Sequence, residues 1–236
     1  RAVAEPIEHR LENRQTLAET LAAQIADDLR AAVDQRGHAS LIVSGGSTPV
    51  PLFDALCAQG DVPWAQVWIT LADERWVPAD HEDSNAHLVH THLLQGAAAD
   101  ARFVGLYLDG IATPEMAHVK VTEALTVIPR PFDVVVLGMG TDGHTASLFP
   151  ETQALSAGID RNNHATCLAV RPRDAPHPRL SLTASALLDS RRRVLHITGD
   201  EKWAVYRHAC ERGPDRVLPI RAILRDDRPT EVWWAP

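Results

Sequence analysis

The sequence predicts an α/β fold with a largely parallel sheet and helices on both faces. Two observations predict it. Short apolar runs, nearly continuous rather than alternating, are interleaved with segments of helical period along most of the chain. That is the pattern of strands buried on both faces and covered by helices. Three of these runs break directly into loops rich in glycine and charge, at 44–48, 72–78 and 138–144. In a parallel sheet such loops gather beyond the carboxyl ends of the strands, where ligands bind.

The elements follow in order. Residues 14–36 form the first predicted helix: Asn13 is placed to cap it, Leu17, Leu21, Ile25, Leu29 and Val33 recur at helical spacing, and Gly37 ends it. Residues 39–44 (ASLIVS) read as a buried strand. Pro49 then opens a helix over 50–58, since proline suits a first helical turn. The strand at 67–71 (VWITL) leads into the charged loop 72–78, and a helix at 84–94 is capped from Asp83, Ser84 and Asn85. A short strand at 102–105 precedes a helix at 114–127, which Pro129 and Pro131 stop. Residues 132–137 (FDVVVL) make the clearest strand, followed by GMGTDGH and a helix start at Thr145, Ala146 and Ser147. The second half gives strands near 165–170, 179–182, 192–198 and 230–234 and a helix at 200–210. Residues 171–178 (RPRDAPHP) read as a loop, and Arg191, Arg192 and Arg193 as an exposed turn.

No repeat, low-complexity tract or linker divides the 236 residues, so a single catalytic α/β domain over 1–236 is expected. A composition of 45% hydrophobic and 23% charged residues is that of an ordinary globular protein. The net charge of -8 argues against a nucleic-acid or anionic-membrane partner, both of which want a basic surface. A small anionic substrate stays compatible, because a few focused cations outweigh a distant negative field. Lys120 and Lys202 are the only lysines in the chain. The cysteines Cys57, Cys167 and Cys210 are odd in number and far apart, which suggests neither disulfides nor zinc and fits a reducing cytoplasm. No apolar run reaches the length of a membrane span, and residues 1–10 lack the apolar core of a signal peptide. The chain opens on Arg1 rather than methionine, so a trimmed start is expected.

The loops carry the chemistry. In SGGST (44–48), Gly45 and Gly46 let backbone N–H groups turn toward a ligand, Ser44, Ser47 and Thr48 add hydroxyls, and the next helix presents its positive end. This suits a phosphate; a plain strand-to-helix turn fits the loop equally well. The motif is neither a Walker loop nor a dinucleotide fingerprint. In ADERWVP, three charges directly after an apolar strand are expensive unless exposed or paired. Arg75 can clamp an oxyanion bidentately, and Asp73 and Glu74 can hold that arginine or bind sugar hydroxyls. Asn85 joins them if it faces the site. In GMGTDGH, His144 follows a central strand in a flexible turn with Gly140, and imidazole is the side chain that titrates near neutrality. His144 is therefore the candidate general base, and Asp142 is placed to orient it. Arg179 opens the strand RLSL. Lys202 lies in a helix's first turn, where a bound anion would offset its unfavourable placement against the helix dipole. The histidines His87, His90 and His92 lie near one helix without an acidic partner at ligand spacing, so a solvated helix face is expected ahead of a metal site.

Five blocks in this order, SGGSTPVPLFDAL, LADERWVPADHEDSN, FDVVVLGMGTDGHTASLFP, RLSLT and GDEKWAVYR, resemble the 6-phosphogluconolactonases from about residue 15 to 225. That family is similar to the glucosamine-6-phosphate isomerases and deaminases and shares their Rossmann-like α/β fold. The resemblance implies hydrolysis of 6-phospho-D-glucono-1,5-lactone, a small-molecule phosphorylated sugar lactone, with no cofactor. It implies that His144 is the catalytic base, that Asp142 is the aspartate before it, and that Ser44, Gly45, Gly46, Ser47, Thr48, Arg75, Arg179 and Lys202 bind phosphate and sugar. A monomer or homodimer is expected. Leu180, where isoleucine is common, and the stretch IRAIL after Pro219 depart from the family pattern. The deaminases carry a glutamate soon after the histidine. Residues 145–149 (TASLF) supply none, which disfavours that activity here. An isomerase or deaminase using Asp73 as its carboxylate, and a non-catalytic sugar-phosphate-binding module, are the other classes these loops admit.

Overall fold

A computed structural model describes residues 2–236; Arg1, and with it the expectation of a trimmed start, lies outside the described residues. The chain runs through β1 (Ile7–Arg10), α1 (Arg14–Arg36), β2 (Ala39–Val43), α2 (Val50–Cys57), β3 (Val67–Leu71), β4 (Asp73–Arg75), α3 (Asn85–His92) and β5 (Arg102–Val104). It continues through α4 (Pro114–Leu125), β6 (Phe132–Leu137), α5 (Leu155–Ile159), β7 (Cys167–Val170), β8 (Arg179–Leu182), α6 (Ala184–Leu188), β9 (Ser190–Thr198), α7 (Asp200–Ala209), α8 (Arg221–Leu224) and β10 (Glu231–Ala235).

Seven strands form one sheet in the order β1-β10-β9-β6-β2-β3-β5, and every neighbouring pair in it is parallel. The central strands β2 and β6 are buried at every residue, which requires cover on both faces and accounts for their uninterrupted apolar runs. The long helix α1 supplies part of that cover through Leu17, Leu21, Ile25 and Leu29, all buried. Its ends are closed as the sequence suggests. The Asn13 side chain accepts the amide of Thr16 at 2.8 Å, and Gly37 takes a left-handed φ of 80° to return its N–H to Val33.

The sheet order places the site. From β2 the chain moves outward to β3 and β5, then returns to the other side of β2 with β6 and proceeds through β9 to β10. The loops after β2 and β6 therefore leave adjacent strands in opposite directions, and a crevice opens between them.

The structure corrects the loop expected at 72–78. Residues 73–75 are strand β4, which pairs antiparallel with β8, and β8 with β7, in a separate three-stranded sheet. Main and small sheets share one hydrophobic core, which includes Leu41 and Val135 from the first and Leu180 and Leu182 from the second. The helix start expected at Thr145 is instead a tight turn. Ala146 has a φ of 50°, outside the helical region, and the Leu148 amide returns to the Thr145 carbonyl at 2.9 Å. The hydroxyls on either side are used elsewhere, Thr145 on the Gly138 carbonyl at 2.8 Å and Ser147 on Asp73 at 2.6 Å. The run Arg191 to Arg193 is no exposed turn. It lies within β9, where Arg193 is buried against Asp226 at 2.6 Å and Arg192 pairs with Asp28 and Glu231.

Candidate active site

The crevice holds a cleft of about 260 Å³. Its walls come from the loop after β2 (Ser44 to Pro49), the loop after β6 (Gly138 to His144), the small sheet (Asp73, Arg75, Arg179), Asn85, and the end of β9 with the start of α7 (His196, Lys202). Loops far apart in sequence thus meet at one place because their strands are parallel neighbours.

Ser44 is buried, and its hydroxyl donates to the Val136 carbonyl at 3.0 Å, bracing β2 against β6. Gly46 has a φ of 90°, which a side chain would resist. Gly45 is needed for another reason: a Cβ there would fall 2.0 Å from Oδ1 of Asn85. Asn85 in turn donates to the Asp73 carbonyl at 3.0 Å, so it locks the glycine loop to β4. Gly45, Gly46 and Thr48 make no hydrogen bond to any described residue, which leaves their amides to a ligand.

Arg75 and Arg179 are direct cross-strand partners on β4 and β8. Like charges so placed repel. Burial pushes the Arg179 pKa down, and the nearby Arg75 adds to the effect. The guanidinium groups are held by backbone carbonyls: Arg75 donates to Asp83 at 2.9 Å and Arg179 to Pro176 at 3.2 Å. Nε of Arg75 is buried without a partner among the described residues. Asp73 lies 4.0 Å from Arg179 and accepts the Ser147 hydroxyl. An anion between the two arginines would relieve the repulsion that the single carboxylate leaves.

Glu74, expected in the cleft from the sequence, does not face it: alternation along β4 turns its carboxylate the other way, into the start of α3. There it accepts the amides of Arg75 at 2.8 Å, Asn85 at 2.7 Å and Ala86 at 2.8 Å. It is fully buried, and burial pushes its pKa up to about 7 against the pull of those amides. Its task is to tie β4 to α3.

At the third loop, Nδ1 of His144 donates to Oδ1 of Asp142 at 2.6 Å, and the His144 amide donates to the same oxygen at 3.0 Å. With Nδ1 so committed, the neutral ring presents a bare Nε2. The ring packs on Phe149 at 4.3 Å between centroids, and the Arg179 guanidinium lies over the same phenyl ring at 5.4 Å. Gly140 lies under the imidazole and accepts the Gly143 amide, while its own amide donates to the His144 carbonyl at 2.9 Å. Asp142 stands behind His144 and outside the cleft lining. The set can therefore do two things at once: accept a proton at Nε2, and hold an anion by arginines and amides.

His87, His90 and His92 do not converge; His92 faces Asp54 and His90 faces Phe103. The metal-like grouping among the described residues is His81, Asp83 and His177. Its contacts are internal, with His177 at 2.8 Å from Asp83 and the Asp83 amide donating to His81 at 2.9 Å. They join the two loops whose carbonyls hold Arg75 and Arg179. One cleft residue, His196, is not singled out by the sequence, where it reads as a lone histidine in an apolar strand.

The family model for glucosamine-6-phosphate isomerases/6-phosphogluconolactonase matches residues 12–234. The chain belongs to the 6-phosphogluconolactonase family. Within it, a 6-phosphogluconolactonase of Pseudomonas putida is 46% identical over 228 residues, covering 97% of this chain and 92% of that protein. The crystal structure of a 6-phosphogluconolactonase from Shewanella baltica matches with a TM-score of 0.95 at 45% identity, covering 100% of both chains. A monomeric glucosamine-6-phosphate deaminase matches with a TM-score of 0.80 at 17% identity over 97% of each chain, which shows a shared fold. Among the described residues no helix is long and apolar enough to cross a membrane.

Proposed function

We propose that the chain hydrolyses 6-phospho-D-glucono-1,5-lactone to 6-phospho-D-gluconate, the second step of the oxidative pentose phosphate pathway, with His144 as general base. The observation that carries this reading is the Asp142–His144 pair at 2.6 Å, which leaves Nε2 bare at the edge of a cleft lined by two arginines, a lysine and unpaired amides. A phosphorylated ester substrate needs both halves.

The phosphate is held by the amides of 45–48 with Arg179 and Lys202, and each charge-assisted hydrogen bond contributes about 1.5–3 kcal/mol. It is the handle that fixes C1 near His144. Nε2 takes a proton from water as the water oxygen bonds to C1, and Asp142 stabilises the imidazolium that results. Negative charge collects on the former carbonyl oxygen, where Arg75 is placed to receive it. The C1–O5 bond then breaks, and the proton on Nε2 passes to the departing ring oxygen, which becomes the C5 hydroxyl. The new carboxylic acid releases its remaining proton to solvent, so water is consumed, 6-phosphogluconate is formed and the base is restored.

A coupled assay tests the activity. Glucose-6-phosphate dehydrogenase generates the lactone, and 6-phosphogluconate dehydrogenase reports the acid as NADPH. The expected result is turnover well above the spontaneous rate. No acceleration by folded protein, with ammonia released from glucosamine 6-phosphate instead, would overturn the reading in favour of a deaminase.

A further inference from the structure

The His196 side chain has no hydrogen-bond partner among the described residues, although it is 4% exposed and lines the cleft. It stands near the end of β9, beside Trp233 of β10, and shares its face of the strand with Val194. A purely structural histidine at such a place would be expected to bond a neighbour, because a buried polar atom without one is destabilising. Nδ1 is shut in without a partner among the described residues. Nε2 makes no hydrogen bond to a described residue and is not shut in as Nδ1 is, and the residue lines the cleft. An N–H sealed at Nδ1 would be worse than a bare lone pair there, so the proton belongs on Nε2. Burial first, and then the Lys202 ammonium, lower the pKa of the ring to about 4, and it is neutral at working pH. The side chain therefore offers one N–H donor, beside a lysine with no ion pair among the described residues and across from the open amides of 45–48.

We propose that His196 is a further substrate-binding residue, whose Nε2–H donates to an oxygen of the phosphate ester together with Lys202. The proposal rests on the phosphate end of the function proposed above and not on the lactone chemistry. A neutral donor is the fitting choice. A second full cation next to Lys202 would repel it in the empty cleft, whereas an N–H dipole adds a hydrogen bond without that penalty.

The test is calorimetric binding of 6-phosphogluconate, with gluconate as the probe lacking phosphate, to the wild type, His196→Leu and His196→Gln. Leucine removes the donor and the sealed nitrogen together; glutamine places an N–H near the position of Nε2. Leucine is expected to weaken 6-phosphogluconate binding by about 10- to 100-fold, the value of one hydrogen bond to a charged group. It should leave gluconate binding unchanged and raise the Tm, while glutamine recovers most of the affinity. Unchanged 6-phosphogluconate affinity in the leucine variant overturns the proposal, as does an equal loss for gluconate, which would move the contact to the sugar hydroxyls. Failure of glutamine to rescue would assign the loss to shape and also overturn it. If the leucine variant does not fold, His196→Met carries the same comparison. A wild type that binds 6-phosphogluconate but turns over no lactone would sink the activity while leaving this assignment standing.

Discussion

One carboxylate oxygen, Oδ1 of Asp142, accepts both the amide and Nδ1–H of His144, at 3.0 and 2.6 Å. Backbone and ring of the same histidine are thereby fixed from a residue two places earlier. Burial pushes the Asp142 carboxyl up, but the hydrogen bonds from His144 outweigh it and leave its pKa below the ordinary value. The group is an ionised acceptor throughout the neutral range. Replacing Asp142 with asparagine allows an NH2 group to face Nδ1 and favours the wrong tautomer. A kcat about 10²-fold lower with little change in KM is expected, inside the range of general-base help. A kcat within twofold of wild type would show that Asp142 does not orient the ring.

Gly140 gives a second route to the same geometry. A Cβ there would lie 2.3 Å from Cε1 and Nδ1 of His144 and 2.7 Å from Asp142 Oδ1. The imidazole is the movable partner, so Gly140→Ala should swing it away and lower kcat by about 10²-fold, as small misplacements do. Circular dichroism and the melting curve should change little. Retained activity would mean that the ring position seen here is not the productive one.

Glu74 predicts a pH dependence of stability. Its folded pKa of about 7 lies above the ordinary 4.5. Between those values the folded state holds a proton that the unfolded chain has released. Its contribution is full below pH 4.5 and is lost as pH rises toward 7, a change of about 3 kcal/mol. Urea unfolding across this window should show wild type losing stability relative to Glu74→Gln as pH increases. Parallel curves for the two proteins would contradict the assignment.

Arg193 predicts a stability effect remote from the cleft. Its guanidinium is 2% exposed, pairs with Asp226 at 2.6 Å and donates to the carbonyls of Leu188 and Arg228. Arg193→Met leaves the Asp226 carboxylate to Arg161 and the Arg228 amide. A loss of about 3 kcal/mol in urea unfolding is expected, at the low end for breaking a buried pair because Arg161 remains. A loss under 1 kcal/mol would show that the pair is dispensable.

The parallel sheet is legible in the sequence because its central strands are buried on both faces and so read as unbroken apolar runs, FDVVVL above all. The small sheet is not. Its strand β4 is DER, charged at every position, and its partner β8 lies about a hundred residues away, a pairing that no local pattern announces. The edge strand β1 (IEHR) is mostly exposed and carries no hydrophobic period. Around the site, Asp142, His144 and the glycine loop are legible because glycine and polar groups interrupt apolar strands there. Glu74 misleads, since its neighbours Asp73 and Arg75 do line the cleft and only the two-residue alternation of a strand separates it from them. His196 is missed for the opposite reason: nothing in LHIT marks one buried histidine as open to a ligand.

The central claim is that Nε2 of His144 is the base. The most direct measurement is the steady-state kcat of His144→Ala in the coupled lactone assay, on protein whose melting curve matches wild type. The account predicts a fall of about 10²–10⁴-fold, the share general-base catalysis supplies, with 6-phosphogluconate binding largely kept. A folded variant with near-normal kcat would contradict it and leave the cleft as a binding site whose chemistry lies elsewhere.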